Sequence, residues 1–260
     1  MLNSIMVQTQ TLIALGDILK ARERLKGVAL ETPLQPNMTL SQRYGADILF
    51  KREDLQVVRS YKLRGAYNLM AQIPSVQHRQ GVVCASAGNH AQGVALACAR
   101  LHIKGRIYMP VPTPRQKVDK VRMFGGEWAE IVLTGDTFDD AYHAAREYCD
   151  AQEAVFVHPF DDPAIIAGQA TVGFEILADA EGPLDYIFVP IGGGGLAAGL
   201  GSYVKQLSPE TKIIGVEPAG APAMKRSIER GEVLTLDRIS KFVDGAAVKR
   251  VGEHTFRLCR

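Results

Sequence analysis

Cysteine is scarce in this chain, and the four it has, Cys84, Cys98, Cys149 and Cys259, stand far apart. No C-x-x-C pair occurs, so neither a zinc site nor a disulfide framework is suggested. Isolated thiols suit a reducing cytosol, and a cytoplasmic location is expected. An excess of one charge is missing too: the net charge is +2, with acids and bases mixed along the chain. Without a basic stripe, neither nucleic acid nor an anionic membrane is expected as a partner. No apolar run reaches the length that spans a bilayer. Residues 1–16 are moderately apolar but carry no positive charge before Lys20, so no signal peptide is read there. No internal repeat or low-complexity linker is present. What remains is bulk: 260 residues, 47% hydrophobic, enough for one large domain or two smaller lobes.

From residue 81 onward, short apolar runs alternate with segments of helical period. Strands are predicted over 81–84, 106–109, 128–133, 155–157, 186–190 and 212–216. Helices are predicted over 89–101, 114–124, 138–150, 163–180, 196–207 and 221–231. This alternation means β-α-β units and a parallel sheet, an α/β fold. Before it, helices are expected over 15–25, ended near Gly27, and over 39–44, stopped by Gly45. A strand over 48–51 follows, then a charged turn at Arg52, Glu53 and Asp54. Ser60 is expected to cap a helix running to about residue 72. The stretch 50–156 begins and ends on strands, so it reads as a lobe inserted into a larger one.

Ligands in such folds sit at the carboxyl ends of parallel strands. The segment Ser60-Tyr61-Lys62-Leu63-Arg64-Gly65-Ala66 places a lysine beside an aromatic ring at a helix start. Desolvation and nearby positive charge would both favour a neutral amine there, and a neutral lysine forms imines with carbonyls. Taken alone, Lys62 reads as a solvated surface lysine, and only the two loops that follow lift it from that reading. The loop Ser86-Ala87-Gly88-Asn89-His90 has small residues and free amides suited to a carboxylate, and Asn89 suits a ring oxygen. Taken alone, it reads equally as an ordinary turn with Ser or Asn as helix cap, and His90 as a structural residue. Four glycines, Gly192 to Gly195, precede Leu196 between a predicted strand and helix, a nest of amides suited to phosphate. The pattern Gly193-x-Gly195-x-x-Ala198, with Glu217 beyond a later strand, also matches a dinucleotide fingerprint. That alternative leaves Lys62 and Asn89 unused. An imine-forming lysine, a ring-oxygen contact and a monophosphate nest together suit pyridoxal phosphate.

These motifs, in this order, resemble the catalytic domain of the threonine dehydratase (threonine ammonia-lyase) family of fold-type II pyridoxal phosphate enzymes. The similarity runs from about Leu25 to the last residue. It extends to Lys51-Arg52-Glu53-Asp54, Gly135-Asp136-Thr137-Phe138, His158-Pro159-Phe160-Asp161-Asp162, Ile166-Ala167-Gly168-Gln169 and Asp244-Gly245-Ala246-Ala247-Val248. The resemblance implies two lobes, each a mostly parallel sheet flanked by helices: 1–55 plus 156–260 for the cofactor phosphate, and 56–155 for the substrate loop. It implies that Lys62 carries the cofactor and then moves the substrate α-proton, with Tyr61 beside the ring and Asn89 at the ring oxygen. The amides of Gly192, Gly193, Gly194, Gly195 and Leu196 would hold the phosphate. Ser86, Ala87, Gly88, Asn89 and His90 would grip the substrate carboxylate. The implied reaction is β-elimination: L-threonine to 2-oxobutanoate and ammonia, or L-serine to pyruvate, in isoleucine biosynthesis, by a homo-oligomer. Serine racemases have a second serine where this chain has Ala87, which disfavours racemisation. No dedicated metal site is expected. The family's catalytic domain continues past the equivalent of Arg260, so a catalytically incomplete fragment that binds the cofactor or a partner chain is the other reading.

Overall fold

The computed structural model describes residues 12–260. Most of the stretch read as lacking a signal peptide therefore lies outside the described residues. Helix α1 (Leu15–Leu25) buries Ile18, Ala21 and Leu25, one face at helical spacing. Strands β1 (Leu34–Pro36) and β2 (Leu49–Lys51) pair antiparallel. Between them, α2 (Met38–Tyr44) is capped by the Asn37 side chain, which accepts the Leu40 amide at 2.9 Å, and it ends on left-handed Gly45.

Helix α3 (Lys62–Met70) differs from expectation at both ends. Its N-cap is Tyr61, not Ser60, and it stops two residues early. The Ser60 hydroxyl is buried and bonds to no described residue. Tertiary packing here overrides the local preference of serine for caps. What fixes α3 instead is Arg64, which is 1% exposed. Its guanidinium donates to Glu53 at 2.8 Å and to both Glu175 oxygens at 2.5 and 2.9 Å. Lys51 bridges the same Glu175 at 2.8 Å. The paired carboxylates hold the Arg64 pKa above its ordinary value against the opposing effect of burial.

The central lobe is a four-stranded parallel sheet in the order β5-β4-β3-β6. Its strands are β3 (Val82–Ala85), β4 (Gly105–Met109), β5 (Ala129–Leu133) and β6 (Val155–Phe156). The connecting helices are α4 (Asn89–Leu101), α5 (Arg115–Gly125) and α6 (Phe138–Gln152). One core lies between the sheet and α3, α4 and α5; a second lies between it and α6. Both faces are covered, which is why β3 is buried at every position.

Helix α7 (Pro163–Asp179) then crosses to a smaller parallel pair, β7 (Tyr186–Pro190) and β8 (Lys212–Val216). Asp162 caps α7 by accepting the Ala164 amide at 2.7 Å. α7 runs close against α3, where a Cβ on Gly168 would stand 2.6 Å from the Arg64 carbonyl, so only glycine allows that approach. Helices α8 (Gly195–Leu207), α9 (Ala223–Arg230) and α10 (Glu253–Cys259) complete the second core. The α10 helix was not placed in the sequence, and β1 begins at the end of a stretch, 32–34, that reads only as extended. No described helix is long and apolar enough to cross a membrane.

Candidate active site

Lys62 opens α3 and is half-buried. Its Nζ donates to the Pro159 carbonyl at 2.7 Å and lies 5.6 Å from the centroid of the Tyr61 ring. Burial pushes the ammonium down to about 8. Of the two causes expected, desolvation alone acts, because no cation stands beside the amine. Burial also pushes the Tyr61 phenol up to about 12, so it stays a neutral ring at physiological pH.

Two histidines flank this lysine in neutral form. Burial, with the Lys62 charge adding to it, lowers His90 to about 3. Burial lowers His158 to about 4, against the opposing pull of Asp161. A ring nitrogen of His90 sits 2.8 Å from the Val157 carbonyl. His158 Nδ1 accepts the amides of Phe160 at 3.2 Å and Asp161 at 2.7 Å, which closes a tight turn.

That turn, over 157–161, is where the separate motifs meet. Val157 meets His90 of the Asn89 loop, and Pro159 meets Lys62. The next residue, Phe160, meets the glycine turn: a Cβ on Gly195 would stand 3.0 Å from the Phe160 Cβ, and one on Gly193 would overlap its ring. The lysine amine and the glycine turn therefore touch adjacent residues. Asp161 reaches a fourth neighbour, accepting the first amides of α10: Glu253 at 2.9 Å, His254 at 2.9 Å and Thr255 at 3.0 Å.

The glycine turn leads from β7 into α8. Gly194 is left-handed at φ 97°, and a Cβ there would stand 2.7 Å from Met224 and 2.8 Å from Thr255. The amides of Gly192, Gly193 and Gly194 donate to no described residue. They sit at the positive end of a 13-residue helix, which favours an anion. Gly192 lies against Ala246, 3.2 Å from where its Cβ would be. Glu217, the acid of the dinucleotide alternative, is already engaged: it accepts the amides of Met224 and Lys225 at 2.8 Å each and so caps α9.

The Asn89 loop follows β3, as expected. Ser86 Oγ accepts the Gly88 amide at 3.2 Å, and Gly88, not Ser86 or Asn89, is the N-cap of α4. The Asn89 side chain is exposed and unbonded, while His90 points inward and is buried. One turn beyond Asn89, α4 crosses the start of α3: a Cβ on Gly93 would stand 3.0 Å from the Leu63 nitrogen and 3.1 Å from the Lys62 carbonyl carbon. One helical turn is about 5.4 Å, so Asn89 begins its helix close to the lysine.

Residues 25–260 match the family model described as Pyridoxal-phosphate dependent enzyme. The chain belongs to that family. It is 56% identical to the biosynthetic L-threonine dehydratase of Halalkalibacterium halodurans over 248 residues, which is 95% of this chain and 60% of that protein. The processed form of threonine deaminase isoform 2 from Solanum lycopersicum superposes with a TM-score of 0.90 at 46% identity, covering 94% of this chain and 66% of that one. Maize serine racemase also reaches a TM-score of 0.90, at 30% identity, over 97% of this chain and 74% of that one. The chain spans about 60% of the length of curated bacterial relatives that it matches.

The residues present suit the pyridoxal phosphate of this family. A buried amine of lowered pKa faces a carbonyl, and a row of amides without acceptors lies one residue along the same turn. Sequence reasoning missed the parts that join them. The stretch from His158 to Asp162 follows a strand, β6, and that position was a usable signal for a site loop. Thr255, near the end of the chain, carried no local signal. Glu175 stood out as a charge among apolar helical neighbours, the mark of a buried, paired group.

Proposed function

We propose that this chain carries the reactive lysine and the phosphate cradle of an enzyme that deaminates L-threonine to 2-oxobutanoate and ammonia, and L-serine to pyruvate. The biosynthetic role in the names of the bacterial relatives supports assigning it to isoleucine biosynthesis. The observation that carries the reading is the meeting of Lys62 with Pro159 and of the glycine turn with Phe160. The lobe over 56–155 would then bring the substrate loop, and the flanking segments the phosphate cradle.

Bound pyridoxal phosphate supplies the electron sink that makes the substrate α-proton acidic. The chain does the rest. Lys62 Nζ takes that proton. At pH 7 about one in ten such amines is neutral at a pKa of about 8, against about three in ten thousand at an ordinary 10.5. The Pro159 carbonyl holds the amine while it is free. Ser86, Asn89 and the amides that open α4 orient the substrate carboxylate and a ring oxygen. The amides of Gly192 to Leu196 hold the phosphate, and Tyr61 lies beside the ring. The β-hydroxyl departs as water, and hydrolysis of the remaining enamine returns one water and releases ammonia, so the net change is loss of ammonia alone.

Racemisation calls for a second base on the face opposite Lys62, and Ala87 has no hydroxyl to supply one. The assay is threonine and serine turnover by the chain with pyridoxal phosphate, together with visible absorbance and borohydride labelling. Label on Lys62, and loss of both absorbance and 2-oxobutanoate in Lys62→Ala, are expected. Unchanged absorbance and product in Lys62→Ala would overturn the reading, and D-serine as the main product would favour the racemase.

A further inference from the structure

α10 does more than fill the second core. It stands directly behind the glycine turn, and two residues one helical turn apart face that turn. Thr255 Oγ1 donates to the Gly193 carbonyl at 2.6 Å, and Cys259 Sγ lies 3.9 Å from the Gly194 carbonyl. Thr255 is completely buried. Its hydroxyl also accepts the Gly252 amide at 3.1 Å, so both its donor and acceptor functions are used. The Gly193 carbonyl takes a second, longer bond from the Gly252 amide at 3.5 Å.

In a trans peptide the carbonyl and the following N–H point in opposite directions. A Gly193 carbonyl held toward α10 therefore turns the Gly194 amide away from α10. Glycine has the widest backbone freedom of any residue, so a run of four cannot hold that direction by itself. Something outside the run must set it. The Ala198 amide, 2.8 Å from the Gly194 carbonyl, does so for the following peptide from within α8. Thr255 does so for the Gly193–Gly194 peptide from another element. Asp161 holds α10 in place, and Asp161 belongs to the turn that meets Lys62. We propose that Thr255 is a positioning residue of the phosphate cradle: by anchoring the Gly193 carbonyl it aims the Gly194 amide at the cofactor phosphate.

The proposal rests on the reading of the glycine turn as a phosphate site, and the test separates the two. Binding of pyridoxal phosphate and of pyridoxal, which lacks the phosphate, is titrated by absorbance for the natural chain, Thr255→Val and Thr255→Ser. The natural chain is expected to bind the phosphorylated form more tightly. Thr255→Val, equal in shape but without the hydroxyl, is expected to weaken pyridoxal phosphate about tenfold, the size of one lost buried hydrogen bond. Pyridoxal binding is expected to stay unchanged, and Thr255→Ser to match the natural chain. If the natural chain does not favour the phosphorylated form, the phosphate-site reading fails. If it does, but Thr255→Val binds both ligands as before or loses both equally, the positioning role is overturned. A Thr255→Ser that falls as far as Thr255→Val would assign the effect to the methyl group and overturn it as well. Should Thr255→Val not fold, Thr255→Ala in the same titration decides by the same outcomes.

Discussion

α3 and α8 both begin against the 157–161 turn, and they offer opposite kinds of group there. α3 presents a side chain, Lys62, whose usefulness depends on how far burial lowers its pKa. α8 presents backbone amides, whose usefulness depends only on where they point. The first is tuned by environment and carried by one residue. The second is tuned by geometry and spread over several, with no side chain of its own. The two starts are also secured differently. Arg64 pins α3 from within a buried ion cluster, whereas a neutral threonine and tight van der Waals contacts back the turn before α8.

The comparison breaks most sharply at the lysine. Lys62→Ala is expected to lower threonine turnover by about 10⁴-fold or more, the upper end for a general base and beyond it if attachment of the cofactor is also lost. Its melting temperature should hardly change, since removing a buried amine relieves desolvation. Arg64→Leu should do the reverse to the fold. It leaves the Glu53 and Glu175 carboxylates without their shared partner, and a loss of about 3–5 kcal/mol is expected in a urea titration. Gly194→Ala should cost about 2 kcal/mol, because a left-handed φ and contacts under 3 Å act together. Phosphate affinity, followed by titration with inorganic phosphate, should fall with it, while labelling of Lys62 by pyridoxal should persist.

The smallest effect is the one with pH. The neutral amine is the reactive form, so the rate at which Lys62 condenses with pyridoxal should rise about tenfold per unit below pH 8 and level off above it. His90 and His158, lowered to about 3 and 4, stay uncharged from pH 6 upward and should add no break there. The stability change has a definite sign. Between pH 8 and 10.5 the unfolded chain binds the extra proton, so stability rises through that window and is lowest below it. A break near pH 6.5 in the stopped-flow rates would mean that a histidine, not Lys62, sets the profile.

Most of the fold was legible because its signals are local. The helix at Asn89–Leu101 and the strands at Tyr186–Pro190 and Lys212–Val216 fall where apolar period and flanking glycines put them. Ser60 misled because cap preference is a weak local term that packing overrode. α10 went unread because only seven residues carry its period. At the candidate site, Lys62, the Asn89 loop and the glycine run were visible as unusual compositions following strands or opening helices. The contacts of Pro159, Asp161 and Thr255 were not, since each acts on a residue some sixty or more positions away.

The amino-acid sequence by itself determined which groups this protein can bring to a ligand: one amine, one amide side chain and a run of bare peptide. Only the tertiary structure decided that the amine gives up its proton more readily and that the glycine peptides are anchored from another element. Residue type sets what chemistry a group can do and is written locally. Desolvation and orientation are set by whatever packs around the group, and here that comes from a turn and a helix far along the chain.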